Sequence, residues 1–407
     1  MQLFRNEVNF FLRGSVSYEN QTSYSVITKK LNEWYIAIKN NFDEKAERLK
    51  KEVEYLIGSI NGNLEFIYYH QLLDFRHELM VSHIQAKNED DLRNAYESLK
   101  EHEGHLNGML DYYYFFFMGM YDFRQKELVA AISAYRRAEK SLEFVDDEIE
   151  HAEFYYKMAE VYYYMKQTYY SIDYIERAIL IYNKYETHLD KTIYCNFVIA
   201  GNLIDLLDHE KAMLKFEESL NIARDINRSD LIAVSHLNIG ICCNAEGLYE
   251  RAEENLLIAL RFFEKEYHPY LLKTIFNLSH VMCKAGDFKA GDSYYEKGFN
   301  LALKTDNSEY IAKFNLLRGL YLSEECYDLI DEAFDFFESR EMFGDIDEFA
   351  FEVGEVLLKR GDIARSSKYY KRVVAARKEI QKGELISEAQ IDNLLVSHPN
   401  RVGYFSV

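Results

Sequence analysis

The chain has 407 residues and a formal net charge of -20, with two prolines, 34 Tyr, 27 Phe and one Trp. So few prolines argue against a large β-sandwich or a disordered linker, which need turn-setting residues. The acidity argues against broad contact with nucleic acid.

Motifs exclude more. The five cysteines Cys195, Cys242, Cys243, Cys283 and Cys326 show no CxxC spacing and read as packed thiols of a reducing compartment. The start MQLFRNEVNFFLRGS lacks a signal-peptide apolar core, and no stretch reaches eighteen uninterrupted apolar residues, so the expectation is a cytoplasmic chain without a membrane segment. No glycine-rich phosphate loop, HExxH or GxSxG occurs, and no cofactor is expected. His70 and His77 can share a helix face, but no third metal ligand is implied by spacing.

In chain order, residues 1–23 read as an extension whose "NFFL" forms a short strand or packs against the helical bundle after it. Residues 24–85 read as that bundle, with three helices. The first helix carries Val26, Leu31, Trp34 and Ile38 on one stripe, and the second carries Ala46, Leu49, Val53 and Leu56. The third is "LEFIYYHQLLDFRHELMVSHI", and residues 86–109 hold a linking amphipathic helix.

Residues 110–382 repeat a frame: a small residue, a second small residue twelve positions on, a large one four later and a small one three later. It appears as Gly119, Ala131, Tyr135, Ala138; as Ala159, Ser171, Ile175, Ala178; as Ala200, Ala212, Phe216, Ser219; and as Gly240, Ala252, Leu256, Ala259. Weaker copies are Leu278, Ala290, Tyr294, Gly298; Gly319, Glu332 or Ala333, Phe337; and Gly354, Ser366, Tyr370. Small residues let paired helices approach while the large one fills the groove, which is the tetratricopeptide pattern. The expected fold is all-α: a three-helix bundle followed by about seven repeats that present a concave face to a peptide. Residues 383–407 read as a frayed tail.

Polar residues on the first helix of each repeat are the candidate clamps: Asn196, Asn202 and Asp205; His236, Asn238 and Asn244; Asn277 and His280. An Asn amide both donates to and accepts from a peptide backbone, and a carboxylate holds a basic side chain. Internal caps and inter-helix bonds are the competing reading.

The runs "KLNEWYIAIKN", "YYHQLLDFRHELM", "FFFMGMYDFRQKELVAAISAYRRAEKSLEF" and "FVIAGNLIDLLDHEKA" resemble the Rap family of Bacillus response regulator aspartate phosphatases, from about Val26 to Glu384. The resemblance implies a helical N-terminal domain that meets a response regulator. It also implies a repeat domain that binds a short Phr signalling peptide. Some members dephosphorylate a sporulation regulator, others bind a competence regulator without chemistry, and members on mobile elements act on transfer.

Phosphatase members carry a glutamine in the turn into the third helix, an amide that orients water toward an acyl phosphate. Counting back from "DFRH", that position falls on Leu64, which has no donor or acceptor; a one-residue slip offers Asn63, beside Gly62. Gln71 lies two turns further along. The resemblance places Ile67, Phe75, Asp147 and Glu150 at partner contacts, and Asn202, Asp205 and Asn238 in the peptide region. By their own chemistry Phe75 also reads as core, and Asp147 and Glu150 as an ordinary helix start. The implied partners are a Phr-like peptide and a response regulator or mobile-element regulatory protein, with neither nucleic acid nor membrane.

Overall fold

The computed structural model describes residues 18–57, 64–84, 89–100, 106–266, 268–323 and 326–397. Asn63, Gly62 and the "NFFL" segment lie outside them. All described elements are helical. Packing divides the chain into two compact units, Met1–Phe154 and Tyr155–Val407.

The first unit opens with α1 (Tyr18–Lys39), α2 (Asp43–Ile57) and α3 (Leu64–Ile84), followed by α4 (Glu89–Lys100). The α1 stripe is Ile27, Leu31, Trp34 and Ile38, all buried; Val26 is exposed, one position off the expected register. From α2 come Ala46, Leu49 and Val53. The hairpin α5 (Gly108–Arg124) and α6 (Leu128–Ser141) belongs to this unit too, although the sequence groups it with the repeats. Aromatic packing is the reason. Tyr113 meets Tyr69 of α3 at 5.7 Å, and Tyr121 meets Phe75 at 6.0 Å. The "MLDYYYFFFMGMY" run is accordingly buried along most of its length.

Helix α7 (Glu148–Tyr164) begins in the first unit and runs into the second. The second unit continues with α8 (Thr168–Tyr182), α9 (Leu189–Asp205), α10 (His209–Asp225), α11 (Ser229–Ala245) and α12 (Tyr249–Glu266). It then runs through α13 (Leu271–Ala285), α14 (Phe288–Lys304), α15 (Ser308–Leu317), α16 (Tyr327–Ser339), α17 (Phe343–Lys359) and α18 (Ile363–Ser397). A π-helical turn, Arg318–Leu322, extends α15. Helix α18 continues past residue 383, through much of what the sequence reads as a tail.

Hairpin turns share a local code. Lys166, Leu207, Gly247, Gly286 and Gly361 adopt positive φ where the first helix ends. Asp208, Asp287 and Asp362 then cap the second helix by accepting N–H bonds from Lys211, Ala290 and Arg365.

The small-large frame is where the paired helices touch. A Cβ on Gly119 would lie 2.5 Å from the Tyr135 ring, and one on Gly240 2.7 Å from Leu256. In the fifth copy the register is one residue later than expected. Ser279 donates its hydroxyl proton to the Gly291 carbonyl at 2.7 Å, as Ser171 does to Ala159 at 2.8 Å. Tyr295 is buried while Tyr294 is only half-buried. Ser279, Gly291, Tyr295 and Gly298 restore the spacing that Leu278, Ala290 and Tyr294 break. Successive hairpins stack, and first helices contact first helices (α9 with α11, α11 with α13, α13 with α15), so these helices line one side.

Candidate functional site

In the first unit, α3 begins with Leu64, 60% exposed, followed by Ile67 at 37%. Phe75 is 2% exposed and packs on Tyr96 and Tyr121, so the structure puts it in the core. Asp147 accepts the Ile149 N–H at 2.9 Å, a helix-start contact. Glu150, 1% exposed, is enclosed. Its Oε1 accepts from the Tyr35 hydroxyl at 2.7 Å and the Tyr112 hydroxyl at 3.1 Å, while Lys39 Nζ reaches Oε2 at 2.6 Å. Those bonds tie α1, α5 and α7 together.

The clamps of the second unit separate into bound and free. Asn202 is fully buried and donates to Ser171 Oγ at 2.8 Å and to the Val198 carbonyl at 2.9 Å, which is an inter-helix bond. Asn196 is fully buried with neither amide atom bonded. Asn277 bonds back to the Lys273 carbonyl, His236 faces Asn255 Oδ1 at 2.8 Å, and the Asn244 Oδ1 is buried without a partner. Asn238 is half-buried and makes no hydrogen bond among the described residues.

Asp205 forms an ion pair with Lys166 at 2.7 Å. Burial pulls the Lys166 ammonium down, but Asp205, Tyr163 and Glu348 outweigh it and hold its pKa above normal. The same burial raises the Asp205 carboxyl, against the pull of Lys166. Lys166 also approaches α17: its Cε would lie 3.4 Å from a Cβ on Gly344.

From there α17 turns one face toward the other first helices. Asp345 pairs with Lys313 of α15 at 2.8 Å. Glu352 accepts from the Tyr321 hydroxyl at 2.5 Å and meets His280 Nε2 of α13 at 2.6 Å. Burial would raise the Glu352 carboxyl, yet His280, Lys284 and Tyr321 bring it down to about 2.

Between Asp345 and Glu352 on that face stands Glu348, exposed and with no bond among the described residues. Surrounding protein pushes its carboxyl above the usual range, with Lys166 opposing. Tyr164, 46% exposed, and Tyr270, 38% exposed, behave likewise: burial, then Glu160, raises both phenols. Glu160 acts on Tyr164 and Tyr270, and Lys166 and Lys313 act on Glu348, so these six groups gather where the first helices line one side.

Sequence reasoning searched for amides and passed over these charges and phenols. Their signal was present as spacing: Tyr156, Glu160 and Tyr164 on α7, and Asp345, Glu348 and Glu352 on α17, are polar stripes on single helix faces. His70 and His77 both lie against Trp34, and no group of three or more metal-ligating side chains occurs among the described residues. No helix among them is long and apolar enough to cross a membrane.

Stacked helix hairpins whose first helices line one side define a tetratricopeptide-type protein. Residues 21–82 match the family model described as response regulator aspartate phosphatase H, N terminal. Response regulator aspartate phosphatase I of Bacillus subtilis (strain 168) is 46% identical over 94% of this chain and 98% of its own length. A crystal structure of a Rap protein complexed with competence and sporulation factor aligns at TM-score 0.84 and 34% identity, covering 88% of this chain and 99% of that one. The apo form of RapI aligns at 0.64 and 47% over the same shares. The chain belongs to the Rap family of response regulator aspartate phosphatases.

Proposed function

We propose that this protein is a peptide-controlled regulator of bacterial signalling that acts in the cytoplasm. The side of the second unit lined by the first helices holds a short Phr-like peptide, and the helices within residues 24–85 dock a response regulator or a mobile-element regulatory protein. Peptide binding changes that docking, which requires the peptide to prefer one arrangement of the protein over another. The carrying observation is the side lined by the first helices, where the Glu348 carboxylate, exposed and without a bond, lies among the charges of Lys166, Asp345 and Lys313. Support for a peptide ligand comes from the relative whose structure is a complex with competence and sporulation factor.

The docking is binding without hydrolysis. Leu64 leaves an exposed alkyl chain where the family pattern has an amide, and it cannot orient water. The second reading, an aspartyl-phosphate phosphatase working through Asn63, is favoured by the 46% identity to a relative named for that activity. Phosphate loss from a phosphorylated sporulation response regulator separates the two, with the unmodified protein and Leu64→Gln run against buffer. We expect no acceleration by the unmodified protein. Loss well above the spontaneous rate sinks the binding-only reading.

A further inference from the structure

Within the N-terminal unit, the chain's one tryptophan is held by a histidine. Trp34 is fully buried, and its indole Nε1–H donates to Nδ1 of His77, itself 1% exposed, at 3.2 Å. A nitrogen that accepts is unprotonated, so the His77 hydrogen sits on Nε2, which is buried and has no partner. His70, one heptad earlier on α3, lies against the same indole at 5.7 Å between ring centroids. The indole, in α1, is therefore bonded to α3 through one uncharged imidazole.

We infer that the Trp34–His77 bond is an acid-sensitive latch of the N-terminal helices. One proton on His77 turns the acceptor Nδ1 into a donor facing another donor, so the bond breaks and α1 loosens from α3. The inference rests on this geometry and not on the proposed function.

The charges around the site act in both directions. From α2 come Lys50, Glu47 and Glu54, and from α3 come Asp74 and Glu78. Lys50 is itself paired with Asp74 and Glu78. Arg124 of α5 donates to the Leu79 carbonyl at 3.3 Å. Burial dominates and holds both imidazoles below their usual value; for His77, Lys50 adds to it and the carboxylates oppose. A lowered folded-state pKa makes the unfolded chain the better proton binder, so the latch is fully closed above about 6.5 and opens as pH falls below that.

Because Trp34 is the one tryptophan, its emission reports the latch directly. The full chain is titrated from pH 8 to pH 5, following emission wavelength and acrylamide quenching. We expect a shift to longer wavelength and at least a twofold rise in quenching constant, with a midpoint below 6.5. His77→Gln keeps an acceptor without a titrating group and is expected to stay flat, while His70→Gln retains the transition. Emission that does not change in the unmodified protein, or an unchanged transition in His77→Gln, overturns the inference. Should that variant not fold, an NMR titration of the unmodified protein decides. The Trp34 indole N–H resonance moving with the His77 ring supports the latch, and an indole resonance that ignores His77 protonation overturns it.

Discussion

Glu150 and Glu348 are both glutamates on the first helix of a hairpin, yet they do opposite work. Glu150 of the N-terminal unit is enclosed by two phenols and a lysine, whereas Glu348 of the repeat unit faces water without a bond. A carboxylate's place in a repeat does not assign its role. What decides is whether the neighbouring helix brings donors to it or leaves a space.

The strongest way to break this comparison is Glu150→Ala. It strands Lys39, 12% exposed, as a buried charge and leaves two phenols unpaired. We expect about 3–5 kcal/mol lost from the N-terminal unit in urea unfolding, in the range for breaking a buried pair. A loss near zero would mean that the cluster does not hold α1, α5 and α7 together.

A smaller effect separates the two asparagines. Asn202→Ala removes an inter-helix bond and is expected to cost about 1–2 kcal/mol, read in the same experiment on the repeat unit. Asn238→Ala is expected to leave stability within about 0.5 kcal/mol while weakening peptide binding roughly tenfold, about 1.4 kcal/mol, by calorimetry. The reverse ranking would exchange their roles.

Acid sharpens the repeat-unit side. Glu352 has a folded-state pKa of about 2 against an ordinary 4.5. Its contribution is therefore complete above 4.5 and is lost as pH falls from there toward about 2. Replacing His280 with Ala should weaken that acid dependence of unfolding. The smallest effect belongs to Leu64→Gln, expected within about 0.5 kcal/mol by thermal unfolding because the side chain is largely exposed.

Much of the fold was legible because helix period, small-residue spacing and turn residues are local properties of the chain. The frame around Gly119 and Gly240 identified real helix contacts, and its failure at Leu278 was a register error that the regular spacing of Ser279, Gly291 and Tyr295 would have corrected. The site was less legible. Asn202 and Asn238 look alike in sequence, and only the arrival of Ser171 beside one of them distinguishes bound from free.

By itself the sequence determined an all-helical chain, its hairpin repeats and its family resemblance, since each is written in residue identity and short spacing. Tertiary structure alone decided that Phe75 and Glu150 are internal, that Trp34 hangs on His77, and that Lys166 and Lys313 both act on Glu348. Those facts depend on side chains from distant helices meeting. Glu348 and Lys166 are far apart in the chain, and no periodicity encodes which carboxylate will find a partner there and which will be left to water.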